Sequence, residues 1–98
     1  MKIPRFVNIM GEKYKIIPIK NMVQDHGRCG QCDFSNKTIK YDSGLTERDI
    51  LHTLIHELEH GLRYETGIYQ AVNQDVLEIM AETTATFFTK VFDLKFKK

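Results

Sequence analysis

Two histidines, His56 and His60, lie inside the chain's best-patterned helical segment and constrain what it can fold into. Residues four apart on a helix share one face, one turn above the other, so both imidazoles are expected to point the same way. Apolar residues recur at helical spacing through the same segment and predict an amphipathic helix. This apolar stripe consists of Leu51, Leu54, Ile55, Leu58 and Leu62.

The sequence also predicts where this helix begins and ends, and it predicts a second helix after it. Thr46 is a good N-cap, acidic Glu47 and Asp49 suit the first turn, and Gly67 is a plausible residue just beyond the C-terminus. A short loop follows, and a second helix is expected from about Gln74 to the terminal lysines. Its predicted packing stripe is Leu77, Met80, Ala81, Thr84, Phe88 and Val91.

The first part of the chain, up to about residue 42, has the character of strands. Residues 6–10 and 14–19 are strand-like, and residues 37–42 alternate polar and apolar side chains. Residues 25–32 are rich in glycine and polar residues, which indicates a loop. The prediction is an α+β fold in a single domain over residues 1–98, with a small antiparallel sheet of about three strands followed by two packed helices.

The histidine pair belongs to the pattern H-E-x-x-H. Two imidazoles four residues apart on a helix can reach one zinc ion at Zn–N distances of roughly 2.0–2.1 Å. Glu57 follows the first histidine and points to the flank of the same face. There it can accept a proton from a water molecule without binding the metal itself. The pattern predicts a zinc site with His56 and His60 as ligands and Glu57 as general base.

A catalytic zinc site normally takes three protein ligands, and the second helix offers two candidates. Glu78 and Glu82 are four residues apart and lie beside the predicted packing stripe. Carboxylates placed so close to a packed surface are expected to have a partner, because an unpaired buried charge is costly. One of the two is expected to bind zinc, and the other to orient a ligand histidine by accepting its free N–H. Spacing alone leaves the order open.

These motifs resemble those of the gluzincins, a group of zinc metallopeptidases. Residues 54–60 (L-I-H-E-L-E-H) and 78–81 (E-I-M-A) look like the ImmA/IrrE type and the related short phage metallopeptidase-like proteins. The resemblance covers nearly the whole chain. It implies a minimal zincin-like fold, one zinc ion, and a water-activating peptidase of phage or prophage origin.

The resemblance also implies roles for particular residues. It makes Glu78, the first residue of the E-x-x-A pattern, the third zinc ligand. Glu82 falls where thermolysin-like gluzincins place an acidic residue that supports a ligand histidine. Zincins in general hold the substrate as an added strand beside an edge strand, and residues 37–42 are the expected edge strand here.

Three further residues are weaker candidates for the site. Tyr64, one turn beyond His60, and Tyr69, in the loop between the helices, are possible groups for stabilising an oxyanion, although a packing role is the more ordinary one for either. His52 lies one turn before His56. It is a possible metal or substrate contact, although a partly exposed helix histidine is the simpler interpretation.

Cys29 and Cys32 form a C-x-x-C motif with His26 three residues before it. A closed zinc site needs four ligands, and the chain has only two cysteines. A redox C-x-x-C belongs between a strand and a helix, whereas this one precedes a strand. A tight turn with incidental thiols is therefore favoured over a second metal site.

Composition narrows the classes of function. The 98 residues are 42% hydrophobic and 28% charged, with a formal net charge of +1, so no basic surface predicts binding to nucleic acid or an anionic membrane. No apolar run predicts a membrane span, and the first residues lack the apolar core of a signal peptide, so a cytoplasmic location is expected. The predicted partner is a protein or peptide substrate. The competing hypothesis is a zincin-shaped binding or regulatory module in which zinc is structural and turnover is negligible.

Overall fold

A computed structural model describes residues 2–96 of the chain, with side chains described for residues 2–91. The fold is α+β, which confirms the predicted fold class. It consists of a four-stranded sheet, two long helices and two short ones. Among the described residues, no helix is both long enough and apolar enough to cross a membrane. The elements are β1 (Phe6–Ile9), β2 (Glu12–Ile19), α1 (Met22–His26), β3 (Gly30–Asp33), β4 (Thr38–Asp42), α2 (Glu47–Glu65), α3 (Ile68–Ala71) and α4 (Gln74–Phe96).

The sheet is mixed, with the strand order β1-β2-β4-β3, which corrects the expected antiparallel sheet of about three strands. β1 pairs antiparallel with β2, and β3 pairs antiparallel with β4, but β2 and β4 run parallel. After β2 the chain crosses through α1 to the far edge, runs back as β3, and turns into β4 between the two. A strand inserted in this way must run parallel to β2.

β3 is the strand that the sequence did not reveal, and it changes which strand lies at the edge. Residues 25–32 were expected to form a loop, but α1 ends within this segment and β3 begins in it. The stretch Gly30–Asp33 contains no β-branched residue and both begins and ends with residue types typical of turns. The predicted edge strand, residues 37–42, is therefore wrong as an edge: it forms β4 in the interior of the sheet, and β3 is the edge.

α2 lies between the sheet and α4. Thr46 caps its N-terminus, as predicted, by accepting a hydrogen bond from the backbone N–H of Asp49 at 3.2 Å. Gly67 follows its C-terminus with φ of 81°. The helix packs close to the sheet at Gly61, where a Cβ would lie 2.8 Å from Cδ1 of Ile9. Leu62, expected in the apolar stripe, is 36% exposed. The core between the sheet and α2 comprises Ile9, Tyr14, Ile16, Ile39, Tyr41, Ile50 and Leu54.

α4 packs antiparallel on α2, but its buried stripe differs from the predicted one. Phe88 is 42% and Val91 46% exposed, so neither belongs to the packed face. The buried residues recur every four positions, which rotates the contact face away from those two side chains. Two of them are alanines with no exposed surface, and small residues let two helices approach closely. The observed stripe is Leu77, Ala81, Ala85 and Thr89.

Candidate metal centre and substrate groove

Three predicted ligands converge where α4 crosses α2. Nε2 of His56 lies 3.2 Å from Nε2 of His60. Oε1 of Glu78 lies 2.8 Å from Nε2 of His60, and Oε2 lies 3.3 Å from Nε2 of His56. One ligand atom from each of these three residues lies within 4.8 Å of the others, so the group can hold a metal ion. The structure thus brings Glu78, rather than Glu82, together with both Nε2 atoms.

The dimensions of this cluster fit zinc. Ligand atoms about 2.0–2.1 Å from a tetrahedral ion lie roughly 3.3–3.4 Å from one another. The separation of 3.2 Å between the two Nε2 atoms is close to that edge length, and each Nε2 has one of the two Glu78 oxygens within 2.8–3.3 Å. Two imidazoles and one carboxylate are also a common donor set for catalytic zinc, with a fourth position left for water or substrate. The residues present therefore fit one zinc ion.

Glu82 and His52 form a hydrogen-bonded chain behind the first ligand. Oε1 of Glu82 lies 3.1 Å from Nδ1 of His56, while its Oε2 lies 3.2 Å from Nε2 of His52. Nε2 of His52 also lies 3.4 Å from Oγ1 of Thr86. The carboxylate is thus placed to accept the Nδ1 proton of His56, which leaves Nε2 of that ring free to bind a metal. In this arrangement His52 contacts Glu82 and not the ligand cluster.

His60 is the more enclosed of the two ligand histidines. The residue is 9% exposed, and burial lowers its pKa, although the neighbouring Glu78 carboxylate acts in the opposite direction. A lowered pKa favours the neutral imidazole, which is the form that binds a metal ion. The rings of His56 and His60 meet edge to face, with centroids 4.9 Å apart.

The side chain of Glu57 projects from α2 toward the edge strand β3. A Cβ added to Gly30 of β3 would lie 3.2 Å from Cγ of Glu57, so the absence of a side chain at position 30 leaves space for this glutamate. Burial raises the pKa of Glu57, and the Glu78 carboxylate raises it further. His56, Arg28 and the backbone N–H of Cys32 act in the opposite direction. A carboxylate in such a setting accepts a proton more readily than one in water.

A groove of about 630 Å³ runs over these residues. α2 forms its floor through His52, His56, Glu57 and His60, and β3 forms one wall. α4 forms the opposite wall through its two glutamates. β3 is the last strand of the sheet, so its outer backbone groups have no partner strand, and among them the N–H of Cys32 is hydrogen-bonded to Glu57. The metal cluster therefore faces an open groove beside an unpaired strand edge.

Two aromatic rings, packed against a third, close one end of the groove. Phe34 stacks on Tyr64 with ring centroids 4.2 Å apart and meets Tyr69 edge to face at 4.8 Å. Phe34 and Tyr69 line the groove, and the hydroxyl of Tyr69 donates a hydrogen bond to Oε1 of Gln74 at 3.2 Å. Tyr64 packs against Phe34 and Lys37 outside the lining. Of the two tyrosines that the sequence offered for an oxyanion, only Tyr69 lies at the groove.

The thiols of Cys29 and Cys32 do not converge with the His26 ring in this structure. Among the described residues, the cluster of His56, His60 and Glu78 is the only group of three or more His, Cys, Asp or Glu side chains whose ligand atoms converge. Both thiols are free: Cys29 is exposed, and Cys32 is half-buried in β3. Burial raises the pKa of Cys32 to about 12.

The sequence did not reveal several residues of the groove, among them Arg28 and Gly30. Gly30 is in van der Waals range of α2, and Arg28 stands at the groove end nearest to it. Both were assigned to a loop on the strength of their glycine-rich surroundings. The signal that could have identified them is position, because the segment directly precedes the clear strand β4 and can pair with it as a hairpin.

No protein-family model, curated protein or solved structure was found to match this chain.

Proposed function

We propose that this protein is a zinc-dependent peptidase that binds the ion through His56, His60 and Glu78 and uses Glu57 as general base. The observation that carries the proposal is the convergence of those three candidate ligands in an open groove, directly beside the half-buried Glu57 and the edge strand of the sheet. Zinc bound there would supply a Lewis acid that acidifies a water molecule and polarises a peptide carbonyl.

The chain's own residues supply the proton transfer. Glu57 follows the first ligand on α2, and its pKa is raised by burial. It is placed to accept a proton from a water molecule in the groove and to pass that proton to the leaving amine. Glu82 holds His56 in the orientation and tautomer that binding requires. Tyr69 is the residue lining the groove whose hydroxyl suits an oxyanion.

The substrate is proposed to be a protein or peptide in extended form. The free edge of β3 offers backbone groups to such a chain, and strand addition is a standard mode of peptide recognition. This assignment moves the substrate strand from β4, the position expected from sequence, to β3. A reducing cytoplasmic setting is part of the proposal, because the two cysteines are free thiols and one of them is exposed beside the site.

The shape of the site favours a peptidase over a module with structural zinc. Structural zinc sites are closed by four protein ligands, whereas catalytic sites keep a position open. Among the described residues three ligand side chains converge, and the side chain of Glu78 is 62% exposed on the groove wall. A glutamate beside the first ligand also has a use in hydrolysis and none in a purely structural site.

The decisive experiment compares wild type with Glu57→Gln. Zinc content is measured by elemental analysis, and hydrolysis is followed with fluorescein-labelled casein as a general unfolded substrate. Both proteins should bind about one zinc ion, whereas hydrolysis by the variant should fall by roughly 10²–10⁴-fold. Glu47→Gln, an exposed position on the same helix, is the matched control and should retain hydrolysis.

Two results would count against the proposal. Failure of the wild type to bind zinc when it is supplied would remove the metal centre. Zinc binding with hydrolysis absent from both proteins, or equal in both, would instead favour the binding or regulatory module.

A further inference from the structure

A second cavity opens where the groove ends near Gly30. It has a volume of about 420 Å³ and shares His26, Arg28 and Gln31 with the groove. The two spaces therefore meet around the beginning of β3. The second cavity is lined by Ile19, Met22, His26, Arg28, Gln31 and Lys40.

The second cavity is lined by positively charged side chains and by no negatively charged ones. Arg28 and Lys40 are cationic, His26 adds an imidazole, and no aspartate or glutamate lines the space. Among the side chains of residues 2–91, none forms an ion pair with Arg28 or Lys40. Asp33 interacts electrostatically with Lys40, and Glu57 with Arg28, but neither carboxylate lines this cavity. An anionic group that entered the cavity could therefore form ion pairs with both cations.

Strand geometry connects this cavity to a peptide bound along β3. Position 30 faces α2, because a Cβ there would meet Thr53 and Glu57. Successive strand residues point to opposite faces, so Gln31 points away from α2. Lys40 pairs directly with Gln31 and shares its face. A peptide added to the edge of β3 would likewise alternate, directing some side chains toward α2 and others toward this cationic cavity.

The two ends of the groove differ in chemistry. Phe34 and Tyr69 make one end aromatic, whereas Arg28 and His26 make the other end basic. The cluster of metal ligands lies between them on α2. A bound peptide therefore meets different surfaces on the two sides of the ligand cluster, and a negative charge is accommodated on only one of them.

We propose that the cavity between Arg28 and Lys40 is a substrate subsite that takes a glutamate or aspartate side chain of the peptide held along β3. This inference rests on the proposed peptidase function and specifies its substrate class. The acidic residue lies on the Gly30 side of the scissile bond, and its carboxylate is bound by the Arg28 guanidinium and the Lys40 ammonium.

The test uses pools of short peptides with blocked termini, so that no terminal carboxylate competes. One position is fixed as Glu or as Gln, the others are random, and the fixed position is moved along the peptide. Binding of fluorescein-labelled pools to zinc-loaded Glu57→Gln protein is measured by fluorescence anisotropy, and cleavage is measured with wild type. At one position the Glu pool should bind about 3- to 10-fold more tightly than the Gln pool, as expected for a partly exposed charged contact.

Variants show which residues create this preference. Arg28→Gln and Lys40→Gln should each reduce the Glu-over-Gln ratio toward one, whereas Lys15→Gln, an exposed lysine on β2, should leave it unchanged. Arg28 also acts electrostatically on Glu57, so its removal alone can alter turnover. That effect would change hydrolysis of the Glu and Gln pools equally, whereas loss of the subsite affects only the Glu pool.

The possible results distinguish failure of the proposed subsite from failure of the proposed peptidase activity. Equal affinity for Glu and Gln pools at every position, or no measurable binding of either, would overturn the subsite. A Glu preference that persists in Arg28→Gln and Lys40→Gln would overturn it as well. A Glu preference abolished by those variants, without cleavage by wild type, would support the subsite and overturn the peptidase.

Discussion

Gly30 of the edge strand lies against Thr53 of α2 so closely that a Cβ at position 30 would stand 2.5 Å from the Thr53 Cγ2 atom. The same Cβ would lie 3.0 Å from the backbone oxygen of Lys40, its neighbour across the ladder. This contact sets the separation between β3 and α2, and hence the position of one groove wall relative to the floor that carries Glu57. Glycine is required at this position by close approach rather than by its backbone angles.

We therefore expect Gly30→Ala to destabilise the fold. Forcing a methyl group into this contact should lower the free energy of unfolding by about 1–3 kcal/mol. Urea denaturation followed by circular dichroism measures this loss. Thr53→Ser removes the methyl group that the added Cβ would strike, so the double variant should recover part of the loss, with Thr53→Ser alone as the control. An unchanged midpoint in Gly30→Ala would show that the two elements are not in tight contact.

The two glutamates of α4 should differ in their effect on zinc affinity. Glu78→Ala removes a proposed ligand of the cluster, so bound zinc should fall well below the level of about one ion per chain that we expect for wild type. Glu82→Ala removes only the carboxylate that contacts Nδ1 of His56, and the loss of affinity should be roughly 10- to 100-fold. Competition with a chromophoric chelator measures both. Equal losses in the two variants would contradict the assignment of Glu78 as the ligand.

The contact of Glu65 with Lys37 and Tyr14 should make stability depend on pH. Oε2 of Glu65 accepts hydrogen bonds from the Lys37 ammonium and the Tyr14 hydroxyl, each at 2.5 Å. The Lys37 contact, and then the Tyr14 contact, hold the pKa of Glu65 below its ordinary value. The same hydrogen bond raises the pKa of Lys37. The ion pair is thus favoured in the folded state.

The sign of the effect follows from these directions. The contribution of Glu65 is complete above the unfolded glutamate pKa of about 4.3 and is lost as pH falls through the lower folded value. The contribution of Lys37 is complete below about 10.4 and is lost as pH rises through its raised folded value. The stability difference between wild type and Glu65→Gln should be greatest between these limits and should shrink in acid. Denaturant titrations from pH 3 to pH 9 check this, and exposed Glu12→Gln should show little difference at any pH.

The two thiols should react at different rates. Cys29 is exposed, whereas Cys32 is half-buried and its pKa is raised to about 12 by burial. Because the thiolate is the reactive form, a disulfide reagent at pH 8 should modify Cys29 quickly and Cys32 slowly. The fast phase should disappear in Cys29→Ser and remain in Cys32→Ser. Two equal rates in the wild type would show that β3 does not protect Cys32.

The helices and the sites they carry were the most predictable part of the molecule. The start of α2 could be predicted because its N-cap, Thr46, is a local sequence signal. That His56 and His60 lie on the same face of α2 follows from the helical period alone. Convergence with Glu78 depends on the register between α2 and α4. That register is set by tertiary packing of small residues such as Ala81 and Ala85, which sequence spacing does not reveal.

The sheet was less predictable, because its edge strand lacks local signals. Residues 30–33 form a strand through their ladder with β4 and their contact with α2, and not through their own propensity. The order of the strands is likewise non-local, since β4 inserts between β2 and β3. Because β3 was not predicted, β4 was taken as the edge strand that would bind a substrate. For the same reason Arg28, which directly precedes β3, was not recognised as a groove residue.

The division of the ligands between two helices has a consequence for the whole fold. His56 and His60 belong to α2, which packs on the sheet, whereas Glu78 belongs to α4, which packs mainly on α2. An ion bound by all three acts as a removable cross-link that closes the chain between residues 60 and 78. In so small a protein, such a link restricts the unfolded chain and fastens α4 to the rest of the molecule. If the proposed site is occupied, we expect removal of the ion to weaken the attachment of α4 and to abolish the proposed hydrolysis together.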